Sequence, residues 1–377
     1  MPNYLLISLA VSLGVGLLLM LTKHWHGHFS MDHTHGVQKF HTKPTPRIGG
    51  VAVAAGLLTT WAFAPDDVNA LLAPMLLASL PAFVAGLAED VTKRVGVAAR
   101  LLATMLSGVV AWSLTGIALN RMDIPVLDDI VAWTPVAVAF TAFAVAGVAN
   151  AVNIVDGFNG LSSGTVLILL AALGAIAHGQ GDLPLATACA AVGVAVAGFW
   201  LVNFPLGKIF LGDGGAYLSG FCLGWLAVLL LMRHPGESTW LLLLACAYPV
   251  TEVLYSVWRR RRARLPSGAP DNLHLHSLVK TQVVSRRVPH WPPRLRNAAV
   301  SPLMWVFAAV PAGLAVALQD APVWAVLMAL AGCVLWYHLS YQHLARQQQV
   351  PPLPDSGPVP LDEPEAVPAG TRPSSQF

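Results

Sequence analysis

Charge is what this 377-residue chain has little of: Asp, Glu, Lys and Arg make up 11% of it, while 55% is hydrophobic. A water-soluble domain carries about 25% charged residues, so water is not the main solvent of this protein. Cysteine is scarce as well. Cys189, Cys222, Cys246 and Cys333 fall inside apolar runs without a CxxC pair, which leaves no disulfide framework and no zinc site and makes them small packing residues. No basic residue precedes the first apolar run, that run is too long for a signal-peptide core, and no small-x-small cleavage site follows it. It reads as a retained helix. There is no repeat at a solenoid period, and the net charge of +3 is too small to suggest a nucleic-acid partner.

What is present in quantity is apolar sequence in blocks of about 20 residues, the length that crosses a bilayer as a helix. Eleven such helices are expected, near 3–22, 48–64, 71–88, 99–118, 132–149, 161–178, 183–201, 214–232, 238–258, 299–317 and 321–343. The fold class is therefore all-α, a polytopic integral membrane protein. Assigning the connectors to alternate sides puts all but Arg121 and Arg233 of the 22 Lys and Arg on one side. By the positive-inside rule that side is cytoplasmic, so the N-terminus is expected outside, in the periplasm, and the C-terminus inside. Residues 1–345 form the membrane-embedded domain, and 346–377, rich in Pro, Ser and acids, read as a disordered cytoplasmic tail.

Several acids, Asp66, Asp67, Asp123, Asp128, Asp129 and Asp182, lie in short outer loops where water can solvate them. Glu89, Asp90, Asp156 and Asp213 instead lie at expected cytoplasmic helix ends, amid Gly or Asn. An acid there is costly unless paired or bound to a cation, so their convergence on one face suggests a metal site.

Around Asp213 the run Phe210-Leu-Gly-Asp-Gly-Gly lets a ligand approach the backbone at the start of a helix, a geometry that suits a diphosphate and Mg2+. The other reading is a tight turn in which Asp213 caps the helix. Asn150, Asn153, Asp156 and Asn159, interleaved with Gly157 and Gly160, supply directed hydrogen-bonding groups for a nucleoside or sugar, or else an Asx-turn cap. Glu89 and Asp90 followed by Lys93 place a base or metal ligand beside a phosphate-binding cation, unless they form a solvated charge cluster.

In the basic loop, His274 and His276 can act together on a phosphate or stand solvated. Arg259 to Arg262 read first as an anchor to the membrane surface. Pro44, Pro46, Gly49 and Gly50 stiffen a turn that would hold Lys43 and Arg47 toward an anion. The irregular His24, His26, His28, His33 and His35 read as part of a solvated loop beside the membrane, with no Cys to complete a metal store.

Taken jointly these motifs resemble the polyprenyl-phosphate N-acetylhexosamine-1-phosphate transferases, over roughly residues 1–345. The resemblance is carried by His-x-x-Pro-Thr-Pro-Arg-x-Gly-Gly at 41–50, the acidic pair with Lys at 89–93, Asn-x-x-Asn-x-x-Asp-Gly-Phe-Asn-Gly-Leu at 150–161, Ile-Phe-Leu-Gly-Asp at 209–213 and His-x-His at 274–276. It implies an enzyme of the bacterial inner membrane, with its active site on the cytoplasmic face. Undecaprenyl phosphate would attack the β-phosphorus of a UDP-N-acetylhexosamine and expel UMP, with Mg2+ required and Mn2+ as its substitute. Such a reaction starts O-antigen or other envelope polysaccharides, and a homodimer is among the partners implied.

By the same analogy Asp213 and Asn153 are the metal ligands. Asp156 and Phe210 hold the uracil, with Asn150, Gly157 and Asn159 in the same donor site. Glu89 and Asp90 lie near the attacking phosphate, Lys43, Arg47 and Lys93 offset phosphate charge, and His274 and His276 contact the phosphates. The chain departs from the family pattern at Glu89, where Asp is common, at Asn159, where Asp is common, and at Ser277, where a further His is usual. Asp90 is thereby the better catalytic candidate of the acidic pair. A lipid-linked sugar transporter is the competing class, with Glu252 as its nearest intramembrane acid, and an inactive scaffold of an assembly complex is another.

Overall fold

A computed structural model describes residues 2–32, 44–264 and 273–347. Lys43, His41, Asp271 and the tail from 348 lie outside the described residues. The described chain is almost wholly helical, as lipid requires, because a spanning segment must satisfy every backbone N–H and C=O within itself.

In order the elements are α1 (Asn3–Leu21), α2 (Lys23–Ser30), β1 (Met31–Asp32), β2 (Thr45–Pro46), α3 (Gly50–Phe63), α4 (Asp66–Thr92), α5 (Val97–Thr115), α6 (Leu127–Val131) and α7 (Thr134–Val155). They continue as α8 (Leu161–Gly179), α9 (Leu183–Asn203), α10 (Gly212–Arg233), α11 (Thr239–Ala245), α12 (Ala247–Arg262) and α13 (Leu275–Leu278). A π-helical turn (Val279–Val284), α14 (Ser285–Arg287), α15 (Pro293–Ala298), α16 (Val300–Ala317) and α17 (Val323–Gln347) complete the chain. The two short strands pair antiparallel, Met31 with Pro46 and Asp32 with Thr45.

Nine helical segments among the described residues are long and apolar enough to cross a membrane, or ten if the bent pair α11 and α12 counts as one. This is an integral membrane protein. Each of the eleven expected blocks coincides with helix, but two differ from simple spans. α3 has 14 residues, about 21 Å of helix against about 30 Å of hydrocarbon. The block expected at 238–258 is broken at Cys246 by an 82° bend. Pro249, in the first turn of α12, has no N–H to donate back to Ala245 and so cannot continue α11.

Two other expectations change. The stretch 23–30, read as solvated loop, forms α2, where His26 bridges Ser30 Oγ and the Leu19 carbonyl. The domain boundary at 345 falls inside α17, which runs to Gln347.

The bundle is built around α10, 89% of whose apolar window is buried, while α17, at 11%, faces outward. α10 packs on α4, α7, α8, α9 and α3, and it can because Gly, Ala and Ser recur along it. In membranes such residues permit close backbone approach, which replaces the missing hydrophobic drive between helices. At the end remote from the motifs, Asp182 caps α9 and pairs with Arg233 (2.6 and 3.0 Å) and His234 (3.0 Å). Asp123 receives Arg121 and Thr239. Burial alone would raise the Asp182 carboxyl, but the Arg233 hydrogen bonds, joined by Leu185 and His234, hold it below the usual range. These two acids are structural ties and not the simply solvated groups expected.

Candidate functional site

The site is assembled where α10 begins. Phe210 N–H donates to the Pro46 carbonyl (2.8 Å), while the carbonyls of Phe210 and Leu211 accept from Gly49 and Gly50 (each 2.9 Å). The Pro-Thr-Pro-Arg turn is thereby clamped to the residues preceding Asp213. Gly212 takes φ +75°, a conformation that costs an L side chain about 1–2 kcal/mol, and a Cβ there would also run into the Arg47 carbonyl. This explains why glycine stands immediately before Asp213.

Asp90 enters from the end of α4 and is fully buried. One of its oxygens accepts from Asp213 N–H (2.9 Å) and the other from Gly214 N–H (2.8 Å). The cap of α10 is thus Asp90, 123 residues away in sequence, and not Asp213 itself, which frees the Asp213 carboxylate to face the other connectors. Both Asp90 oxygens thus accept from backbone N–H groups at the start of α10, which fixes the carboxylate expected as the better catalytic acid in place.

Arg47 bridges the two acids, with Nε 3.1 Å from Asp90 Oδ1 and a terminal nitrogen 2.5 Å from Asp213 Oδ1. Arg100, from the start of α5, forms an ion pair with the other Asp213 oxygen and lies over the Tyr217 ring. Asn153 Nδ2 donates to Asp213 Oδ1 at 3.1 Å. Asp213 thus sits among two guanidiniums and one carboxamide, contributed by the α3 entry, α5 and α7.

The remaining expected residues divide. Asn150 accepts from the Tyr217 hydroxyl at 3.4 Å, beneath Arg100. Asp156 lies just past α7, within the field of Arg47; burial raises its carboxyl to about 7, against the pull of that guanidinium. Gly157 faces His276 Nε2, and the His276 ring lies edge-on to Phe158 at 5.6 Å. His274 stacks on His276, the centroids 5.2 Å apart. Lys93 ends α4 in the left-handed region (φ 57°), a strained state for lysine, and its Nζ donates to the Asp90 carbonyl at 2.5 Å. Desolvation first, and Arg47 second, push its ammonium below the usual range.

Two expected residues turn elsewhere. Glu89 accepts from Val95 N–H at 2.7 Å and closes the turn into α5. Asn159 donates to the carbonyls of Pro205 (3.0 Å) and Arg294 (3.4 Å), tying the α7–α8 loop to two other segments. Lys43 cannot be placed, since it lies outside the described residues.

Two residues were missed. Arg100 was given no role from the sequence, because no spacing links it to Asp213. Glu252 stood as an intramembrane acid of either kind, and the structure pairs it with His274. An acid consumed in that pair is not the isolated intramembrane carboxylate a transporter reading needs.

A metal at this site would find oxygen donors in Asp213 and Asn153. Among the described residues no three His, Cys, Asp or Glu side chains form a metal cage. The pair still fits Mg2+, which keeps several waters and takes one or two protein ligands together with substrate phosphates. The two arginines on Asp213 are the groups that phosphate oxygens would attract.

Fold and site define a polytopic helical membrane protein with a polar centre of carboxylates, a carboxamide and arginines at one end of its bundle. Residues 72–231 match the model of glycosyl transferase family 4. That span takes in Glu89, Asp90, Arg100, the Asn150–Asn159 loop and Asp213, and leaves out Arg47 and the histidines. The chain is 25% identical over 257 residues to a probable undecaprenyl-phosphate N-acetylglucosaminyl 1-phosphate transferase of Bacillus subtilis (strain 168), covering 67% of this chain and 70% of that one. It is 26% identical to an undecaprenyl-phosphate alpha-N-acetylglucosaminyl 1-phosphate transferase of Yersinia pestis, over 64% of this chain and 67% of that one. To a decaprenyl-phosphate N-acetylglucosaminephosphotransferase of Mycobacterium leprae (strain TN) it is 31% identical, over 63% and 66%. Over residues 72–231 the chain is thus similar to glycosyl transferase family 4, and it is a transferase, hence an enzyme.

Proposed function

We propose that the chain transfers an N-acetylated amino-sugar 1-phosphate from a UDP-sugar to undecaprenyl phosphate, with Mg2+ as cofactor, and so starts a lipid-linked O-antigen or other envelope polysaccharide. The reading places it in the bacterial inner membrane as eleven helical crossings, N-terminus outside, with the site on the cytoplasmic face. The observation that carries it is the setting of Asp213: a carboxylate beside a carboxamide, ringed by Arg47 and Arg100, at the end of a membrane bundle.

Phosphoryl transfer asks a protein mainly for positioning and charge, since little covalent chemistry is left for it to perform. An oxygen of the lipid phosphate forms a bond to the β-phosphorus of the donor. The bond from that phosphorus to the bridging oxygen breaks, and its electron pair leaves on UMP. A phosphate monoester has its second pKa near about 6, so the acceptor is largely dianionic at neutral pH and needs no strong base. This agrees with an Asp90 committed to the backbone.

Arg47 and Arg100 would swing from Asp213 to phosphate oxygens and stabilise the charge that gathers there. Asp213 and Asn153 would hold Mg2+, which when bound neutralises charge on the diphosphate. Asp156 and Phe210 would orient the uracil, and His274 and His276 would donate to phosphate oxygens. Lys93, fixed over the end of α4, would offset the charge of the acceptor.

Purified protein given undecaprenyl phosphate, Mg2+ and a panel of UDP-N-acetylhexosamines should release UMP with at least one donor, and Asp213→Asn should lower the rate by a factor of about a hundred or more. No UMP from any donor would remove the proposal.

A further inference from the structure

Lys280 and Arg296 are two cations that the proposed reaction leaves without a task. Lys280 stands in the π-helical turn Val279–Val284, one helical turn after His276, and is 6% exposed. Helix of this kind is rare and frequent at functional sites, and here it runs for six residues. Arg296 lies in α15, which packs on that turn, and its Nε is buried without a hydrogen bond among the described residues.

Both side chains can only donate, so burying them together calls for an acceptor. None is supplied by the fold: no ion pair among the described residues includes either cation. Burial first, and the like charge of Arg296 second, push the Lys280 ammonium down to about 8, and no carboxylate of the described residues opposes them. Two like charges buried side by side are unfavourable, and an anion held between them would reverse that.

The pair lies beside the candidate site. Asn159 Nδ2 donates to the carbonyl of Arg294, two residues before Arg296, at 3.4 Å, and Ser301 Oγ donates to the Asn159 carbonyl at 2.6 Å. Both α15 and the start of α16 are thereby tied to the loop that carries Asp156. The turn with Lys280 continues directly from α13, whose His276 faces Gly157 on that same loop. A guanidinium offers a planar fork and an ammonium a compact point charge, a combination that suits the oxygens of a phosphate.

We propose that Lys280 and Arg296 form an anion-binding pair beside the 156–159 loop and take phosphate oxygens of a substrate, either those of the nucleotide diphosphate or those of the lipid phosphate. The inference deepens the function proposed above and rests on it for the source of the phosphate.

Full-length protein in phosphatidylcholine nanodiscs, melted at neutral pH beside Lys280→Met and Arg296→Gln, tests this without turnover. In chloride alone Lys280→Met should melt no lower than the parent, because it removes a buried charge that has no partner. UDP and undecaprenyl phosphate are then added separately. At least one should raise the melting temperature of the parent, and that rise should shrink by about half or more in each variant. The ligand whose effect is lost identifies the source. Phosphatidylglycerol, whose headgroup phosphate is a diester, should give no rise that depends on Lys280. In turnover, KM for the identified substrate should increase about tenfold in each variant while kcat stays within about twofold, as for a contact made equally before and during transfer.

No rise with either ligand, equal rises in parent and variants, a rise that phosphatidylglycerol reproduces, or a Lys280→Met that melts well below the parent in chloride would overturn the proposal. A rise that depends on Lys280 in a protein releasing no UMP from any donor would sustain the anion pair and remove only the reaction.

Discussion

Asp156 is tuned to titrate near neutrality, because burial raises its carboxyl from the ordinary range of about 4 to about 7. The folded chain keeps that proton until about pH 7, whereas the unfolded chain gives it up near pH 4. The site therefore adds stability that is complete below about pH 4 and is lost as pH rises through 7. Asp156→Asn removes the loss, so the substrate-free variant should gain more in melting temperature over the parent at pH 8 than at pH 5. A gain no larger at pH 8 than at pH 5 would mean that Asp156 is solvated after all. Roles at this scale were partly legible: the acids, amides and glycines near Asp213 announced themselves by their density. The arrangement did not, because which acid caps α10 and which is left to the arginines depends on a contact between residues 90 and 213 that no local pattern encodes.

Helix ends, rather than helix middles, carry the arrangement. α4 meets the first turn of α10 at Gly86, where a Cβ would stand 2.6 Å from the Asp213 carbonyl carbon and oxygen, a separation that forces backbone to move. Gly86→Ala should displace Asp213 and lower UMP release at least tenfold. Gly96→Ala, whose added methyl meets nothing within 4 Å, should leave it unchanged. Equal activity in the two variants would show that the α4–α10 contact does not set the site. Apolar periodicity and length gave the helices themselves within a few residues in most cases. They were blind to the break at Cys246, since hydropathy is the same on both sides of it and only Pro249 hints that the ladder stops. They also overstated α3, whose neighbours are apolar enough to lengthen the run without continuing the helix.

At the scale of the whole molecule, four connectors that are remote in sequence converge on the start of one buried central helix. Arg47, Asp90, Asn153 and Asp213 meet there, and the His274–His276 pair closes on the Asp156 loop beside them. That convergence was anticipated from the bias of Lys and Arg toward one set of connectors. Arg100 was not, because its partner lies across the bundle. The account stands on a phosphate group changing hands at this meeting point. A UDP-sugar labelled at the β-phosphorus, incubated with the protein, undecaprenyl phosphate and Mg2+ and then partitioned between water and organic solvent, tests this most directly. The label should pass into the organic phase with the lipid while uridine leaves as UMP, and Asp213→Asn should prevent it. Label that stays in water, or that leaves with the uridine, would contradict the account.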